Sequence, residues 1–124
     1  MPALLIVDAA NVVGSVPDGW WRDRAGATAR LRDTLRDLAA EGLPAEKISP
    51  PLDIVLVVEG AARGIRAIPT VGVVSASGSG DDSIVDLVRA EAPNRTCIVV
   101  TADRQLRERV EALGGRALGP KAVR

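Results

Sequence analysis

The chain has 124 residues, 47% of them hydrophobic and 26% charged, which gives room for one core and the balance of an ordinary globular domain. It contains no histidine, which excludes a Ser-His-Asp triad, a Cys-His dyad and RNA cleavage by paired imidazoles; its single cysteine, Cys97, excludes an internal disulfide and the usual zinc ligand sets. With 16 basic and 16 acidic residues the net charge is zero, so affinity for a polyanion has to come from a local patch.

The first run, Ala3-Leu4-Leu5-Ile6-Val7, is continuously apolar, as a strand buried on both faces requires, and it ends in Asp8-Ala9-Ala10-Asn11. It lacks a basic flank and a small-residue cleavage site, so a strand is expected here and not a signal peptide. Trp20-Trp21, the only aromatic residues, read as core packing, with stacking on an exposed base as the second use. From Asp23 to Glu41 the apolar residues Ala27, Leu31, Leu35, Leu38 and Ala39 recur at helical spacing, and Gly42 supplies a stop. Pro44, Pro50 and Pro51 punctuate a loop before a second buried strand, Ile54–Val58, which runs into Glu59-Gly60.

Arg63 and Arg66 fall in the next loop and Val71–Val74 is a third strand. After Gly78-Ser79-Gly80, a helix is predicted over Asp81–Glu91 with Ile84, Val85, Leu87 and Val88 inward. Cys97–Val100 is the fourth strand, ending at Thr101; Asp103–Leu113 is a helix closed by Gly114-Gly115; Arg116–Leu118 makes a short last strand. No apolar run approaches the roughly 18 residues of a membrane span. The lone cysteine fits a reducing cytoplasm.

This alternation predicts an α/β fold: a three-layer α/β/α sandwich around a mainly parallel sheet, forming one domain over residues 1–124. Ligands of such sheets sit beyond the carboxyl ends of the strands, near the topological switch point. Asp8 ends the first strand, Asp103 follows the fourth, and Asp81 and Asp82 open the helix after the third, so separate segments deliver carboxylates to one rim. Each also has an ordinary use as a turn or helix cap. Together they repel unless a cation joins them, and an all-oxygen donor set favours Mg²⁺ or Mn²⁺. Gly78-Ser79-Gly80 lacks the Gly-Lys-Ser/Thr of a P-loop and reads as a lead into a helix, with Ser79 as a hydrogen-bonder behind the ligands.

Three segments, taken in order, resemble one family. Leu5-Ile6-Val7-Asp8-Ala9-Ala10-Asn11-Val12-Val13 resembles the D-x-x-N-V opening of NYN domains, the PIN-like nuclease branch that includes YacP-like proteins. Gly80-Asp81-Asp82-Ser83-Ile84 resembles the middle D-D-x-I element, and Val99-Val100-Thr101-Ala102-Asp103-Arg104-Gln105-Leu106 the third, V-T/S-x-D-x-x-L. The resemblance spans essentially the whole chain. It implies strand order 3-2-1-4-5 and a hydrolase, a metal-dependent nuclease acting on RNA, single-stranded or structured. Its attack by a metal-activated water leaves 5′-phosphate and 3′-hydroxyl ends. It implies Asp8, Asp81, Asp82 and Asp103 as catalytic metal ligands for Mg²⁺ or Mn²⁺, with Asn11 holding a carboxylate, a water or the phosphate.

Arg63, Arg66, Arg104, Arg107 and Ser79 are the expected substrate contacts. Arg107 stands where some NYN nucleases carry a further acidic residue, which leaves the number of ions open. An endoribonuclease in the cytoplasm is expected, with no membrane partner; the sequence does not set endo against exo cleavage or the oligomeric state, a homodimer included. Two alternatives compete. One is a non-catalytic RNA-binding domain of the same fold. The other is a Toprim-like module, since Val57-Val58-Glu59-Gly60 resembles its strand-ending Glu-Gly, although that reading leaves Asp8, Asn11 and the Asp81-Asp82 pair unused.

Overall fold

The apolar runs become the strands of a single parallel sheet: β1 (Ala3–Asp8), β2 (Leu52–Val58), β3 (Gly72–Ser75), β4 (Cys97–Val100) and β5 (Arg116–Leu118). The computed structural model describes residues 1–124, and its strand order is β3-β2-β1-β4-β5, with every neighbouring pair parallel. The order reverses between β1 and β4, so the switch point lies beyond Asp8 and Thr101. Strands β1 and β4 are buried along nearly their whole length, which explains why they read as unbroken hydrophobic runs and not as alternating ones.

Alternation of side chains along the strands divides the interior in two. On one face Leu5, Val7 and Leu56 pack with Val12, Leu31 and Leu35 of the first half of the chain. On the other, Leu4, Ile6, Val57 and Val99 pack with Ile84, Val85 and Val88 of α4 (Gly80–Glu91) and with Leu106 and Val110 of α5 (Arg104–Ala112). Each fully buried Leu, Ile or Val contributes roughly 1.5–3 kcal/mol of transfer free energy, and the central strands supply both layers. Asp8, Glu59 and Thr101 share the parity of Ile6, Val57 and Val99, so their positions belong to the α4/α5 side of the sheet.

The first half departs from the single helix expected over Asp23–Glu41. A short α1 (Ala9–Gly14) follows β1 at once, and the long helix is broken into α2 (Arg24–Thr34) and α3 (Leu38–Glu41). Thr28 and Thr34 each donate their hydroxyl to the carbonyl four residues back, at 2.8 and 3.0 Å, a habit that bends helices. Past the break the Arg36 carbonyl accepts from the Thr70 hydroxyl at 2.8 Å, a tertiary partner in place of the next helical turn. Gly42 ends α3 with φ 69°, and a Cβ there would stand 2.5 Å from the Ile48 carbonyl oxygen, so no other residue fits.

Candidate active site

Asp8 is the last residue of β1 and caps α1, its Oδ1 accepting the Asn11 backbone N–H at 3.5 Å. Its other oxygen accepts the Thr101 hydroxyl at 2.9 Å, and the same Thr101 oxygen accepts the Asp103 backbone N–H at 3.1 Å. A wholly buried threonine thus ties the carboxylate at the end of β1 to the loop after β4. Asn11 makes a second tie: its side-chain oxygen accepts the Ala102 backbone N–H at 2.8 Å. The motif resemblance implies that Asn11 holds a carboxylate, a water or the phosphate. Its observed partner is the β4–α5 loop, which it clips to α1 across the switch point.

Asp103 caps α5, accepting the Leu106 N–H at 2.9 Å through one oxygen. Ser79 caps α4 by accepting the Asp81 N–H at 3.2 Å, which places Asp81 in the first turn, half-buried, its carboxylate accepting no hydrogen bond from the protein. Asp82, one residue on, turns outward and pairs with Arg109 of α5 at 3.1 Å.

Sequence reasoning left Glu59 out of the site. It follows β2, the strand beside β1, and its carboxylate accepts the Gly80 N–H at the start of α4. A Cβ at position 80 would stand 2.8 Å from that carboxylate oxygen, so glycine permits the approach. The available signal was positional: Glu59 ends its strand as Asp8 ends the neighbouring one.

The electrostatics join these groups. Burial pushes the Asp8 carboxyl up to about 6, the Thr101 and Asn11 hydrogen bonds pull it back, and the charges of Asp81 and Glu59 push it further up. Asp81 is raised first by burial, then by Asp103 and Glu59, while Arg109 opposes the rise. Asp8, Glu59, Asp81 and Asp103 therefore border one basin of mutually repelling charge. They do not form a closed ligand shell: no three of the His, Cys, Asp and Glu side chains stand together as a group able to hold a metal ion. The donors are nevertheless all hard oxygens, and the free carboxylate of Asp81 and the second oxygen of Asp103 are open to a cation.

The expected substrate residues divide. Arg104 is the exposed first residue of α5, next to Asp103, and Arg107 lies one turn on, half-buried and without a carboxylate partner. Ser79 borders the basin and also a cavity of about 440 Å³ between β2 and the first helices. Arg63 and Arg66 are exposed in the loop after Gly60, Arg63 reaching back to the Gly60 carbonyl at 3.4 Å. Trp20, half-buried, packs against the core and lines the same cavity.

Thr101→Val tests the wiring. Removing the hydroxyl takes away the strongest hydrogen bond that lowers the Asp8 carboxyl and strips the Asp103 N–H of its partner. The Asp8 carboxyl should titrate above about 6 in a ¹³C NMR titration, and urea unfolding at pH 8 should show a loss of about 1–3 kcal/mol. An unmoved carboxyl titration would mean that the Thr101 bond does not hold the charge.

No protein-family model matches this sequence, and no curated protein sequence matches it either. Solved structures do. The crystal structure of Rae1 (YacP) from Bacillus subtilis is similar with TM-score 0.74 at 16% identity, covering 96% of this chain and 70% of that one. A mutant of the same protein gives TM-score 0.69 at 15% identity over the same shares. The chain shares the fold of that protein, and its sheet order 3-2-1-4-5 is the one that the motif resemblance implies.

Proposed function

We propose that this chain is a ribonuclease of the PIN-like NYN type, dependent on Mg²⁺ or Mn²⁺, with Asp8, Asp81 and Asp103 as its metal-holding carboxylates and Glu59 beside them. The observation that carries the reading is the basin at the switch point, where four segments bring carboxylates together and the charges of Glu59, Asp81 and Asp103 add to burial in disfavouring the ionised forms of Asp8 and Asp81. The YacP fold supports it. A bound divalent cation would supply charge neutralisation at the scissile phosphate and a water acidic enough to attack phosphorus near neutral pH.

The chain's own residues do the rest. Thr101 and Asn11 fix Asp8 relative to Asp103, so the two carboxylates keep their spacing when substrate arrives. Asp82 holds Arg109 close enough to Asp81 to temper its charge without occupying it. This assigns Asp82 a positioning role in place of the direct ligation expected from the sequence. Arg104 and Arg107, beside Asp103 and free of carboxylate partners, meet the phosphates of the strand, with Arg63 and Arg66 extending the contact along the rim.

The test is cleavage of defined RNA and DNA strands by the purified chain, with Mg²⁺ or Mn²⁺ and with chelator. Cleavage of RNA that stops with chelator supports the reading. Failure to cut any strand with either ion, by a chain that is folded and binds RNA, would favour the non-catalytic alternative.

A further inference from the structure

The cavity beside the carboxylate basin has a composition that the phosphodiester chemistry leaves unused. Ala9, Val13 and Ala62 make its apolar floor, and Trp20 with Arg24 forms one wall. The Arg24 guanidinium lies over the Trp20 ring, 5.3 Å from its centroid, and has no carboxylate partner, unlike the paired Arg32, Arg95 and Arg124. Trp21 meets Trp20 edge-on at 6.0 Å and is itself 53% exposed, outside the cavity lining. Glu59 and Ser79 line the cavity and also border the basin, so the cavity adjoins the carboxylates.

From this geometry we infer that the cavity is a subsite for one unpaired base of the RNA strand, on the nucleotide adjoining the scissile phosphate. The inference rests on the ribonuclease reading and deepens it. Its volume, about 440 Å³, falls within the range of roughly 300–1,000 Å³ of small-molecule sites. Flat apolar walls with an aromatic ring and a guanidinium suit the faces of a base, and the unpaired cation suits the phosphate that accompanies it. Bases inside a duplex are stacked on their neighbours and cannot enter. The cavity therefore selects single-stranded RNA, and the selection depends on Trp20 and Arg24 and not on the carboxylates.

The chain offers a clean reporter, because two tryptophans are its only aromatic residues. In a Trp21→Leu chain all intrinsic fluorescence comes from Trp20. That protein is titrated in chelator with a single-stranded oligouridylate and, separately, with an RNA duplex of equal length, while metal-dependent cleavage is scored in a parallel assay. Saturable quenching by the single strand and none by the duplex is expected. Base stacking is worth about 1–3 kcal/mol, so Trp20→Leu in the otherwise native chain should weaken single-strand binding about 5- to 150-fold, read by the anisotropy of a labelled oligonucleotide.

Arg24→Ala, at an exposed position that leaves the core untouched, should weaken binding in the same direction and keeps the test valid if Trp20→Leu does not fold. Metal-dependent cleavage without quenching, or with binding indifferent to Arg24→Ala, overturns the subsite and leaves the ribonuclease reading standing. Equal quenching by duplex and single strand also overturns it. Quenching that Arg24→Ala weakens, in a chain that cuts nothing with either ion, supports the base pocket while removing the nuclease reading.

Discussion

Asp8→Asn is expected to lower RNA cleavage by about 100-fold or more, since even the hydrogen-bonding partners of metal ligands cost 10- to 100-fold when removed. The same substitution should stabilise the metal-free protein. Asn caps a helix as well as Asp does and still offers an oxygen to the Thr101 hydroxyl, so the change isolates the charge. The folded carboxyl titrates near 6, against an ordinary value of 3.8. Because the folded value is the higher one, the native protein loses stability as pH rises from about 4 through 6, and the loss is complete above that.

A carboxyl raised from 3.8 to about 6 corresponds to at most about 3 kcal/mol. In chelator at pH 8, Asp8→Asn should therefore raise the free energy of unfolding by about 1–3 kcal/mol, and by nothing measurable below pH 4. Urea midpoints at the two pH values provide the comparison. A carboxylate kept only for capping predicts the reverse: no gain at pH 8 and no loss of activity.

Divalent ions should produce the second large effect. Repulsion among Asp8, Glu59, Asp81 and Asp103 burdens the metal-free fold, and an ion that binds only the native state stabilises it by about 2.7 kcal/mol at a hundred times its Kd. For a chain of this size that is a rise in Tm on the order of 10 °C. Asp81→Asn in chelator should match or exceed the native Tm, because the substitution removes a half-buried charge that burial and Asp103 already disfavour. Asp103→Asn keeps an N-cap and should likewise fold. Both should lose most of the metal-induced rise. Equal shifts in native and substituted chains would place the ion elsewhere.

The strands were legible because a parallel strand buried on both faces shows as an apolar run, as at Leu4–Val7 and Cys97–Val100. The rim positions of Asp8, Asp81 and Asp103 followed from the strand ends, and the 3-2-1-4-5 order from the motif resemblance. What stayed hidden depends on contacts between distant segments. The break before α3 is stabilised by Thr70, 34 residues from the carbonyl it caps, and no periodicity in Asp23–Glu41 reports it. Asp82 looked equivalent to Asp81 in sequence; only the packing of α4 against α5 brings Arg109 to it. Glu59 became a site residue once β2 lay beside β1 and α4 began at its end.

The most direct test of metal-dependent hydrolysis at this basin is the chemistry of the cut ends. A defined single-stranded RNA, cleaved in Mg²⁺ or Mn²⁺, should yield 5′-phosphate and 3′-hydroxyl termini, because attack by water leaves the 2′-hydroxyl out of the reaction. A substrate with methylated 2′-hydroxyls should still be cut, if bound less well, and chelator should stop both reactions. With no histidine in the chain, the paired-imidazole route through the 2′-oxygen is closed to it. Termini bearing a 2′,3′-cyclic phosphate, or cleavage that persists in chelator, would contradict the mechanism.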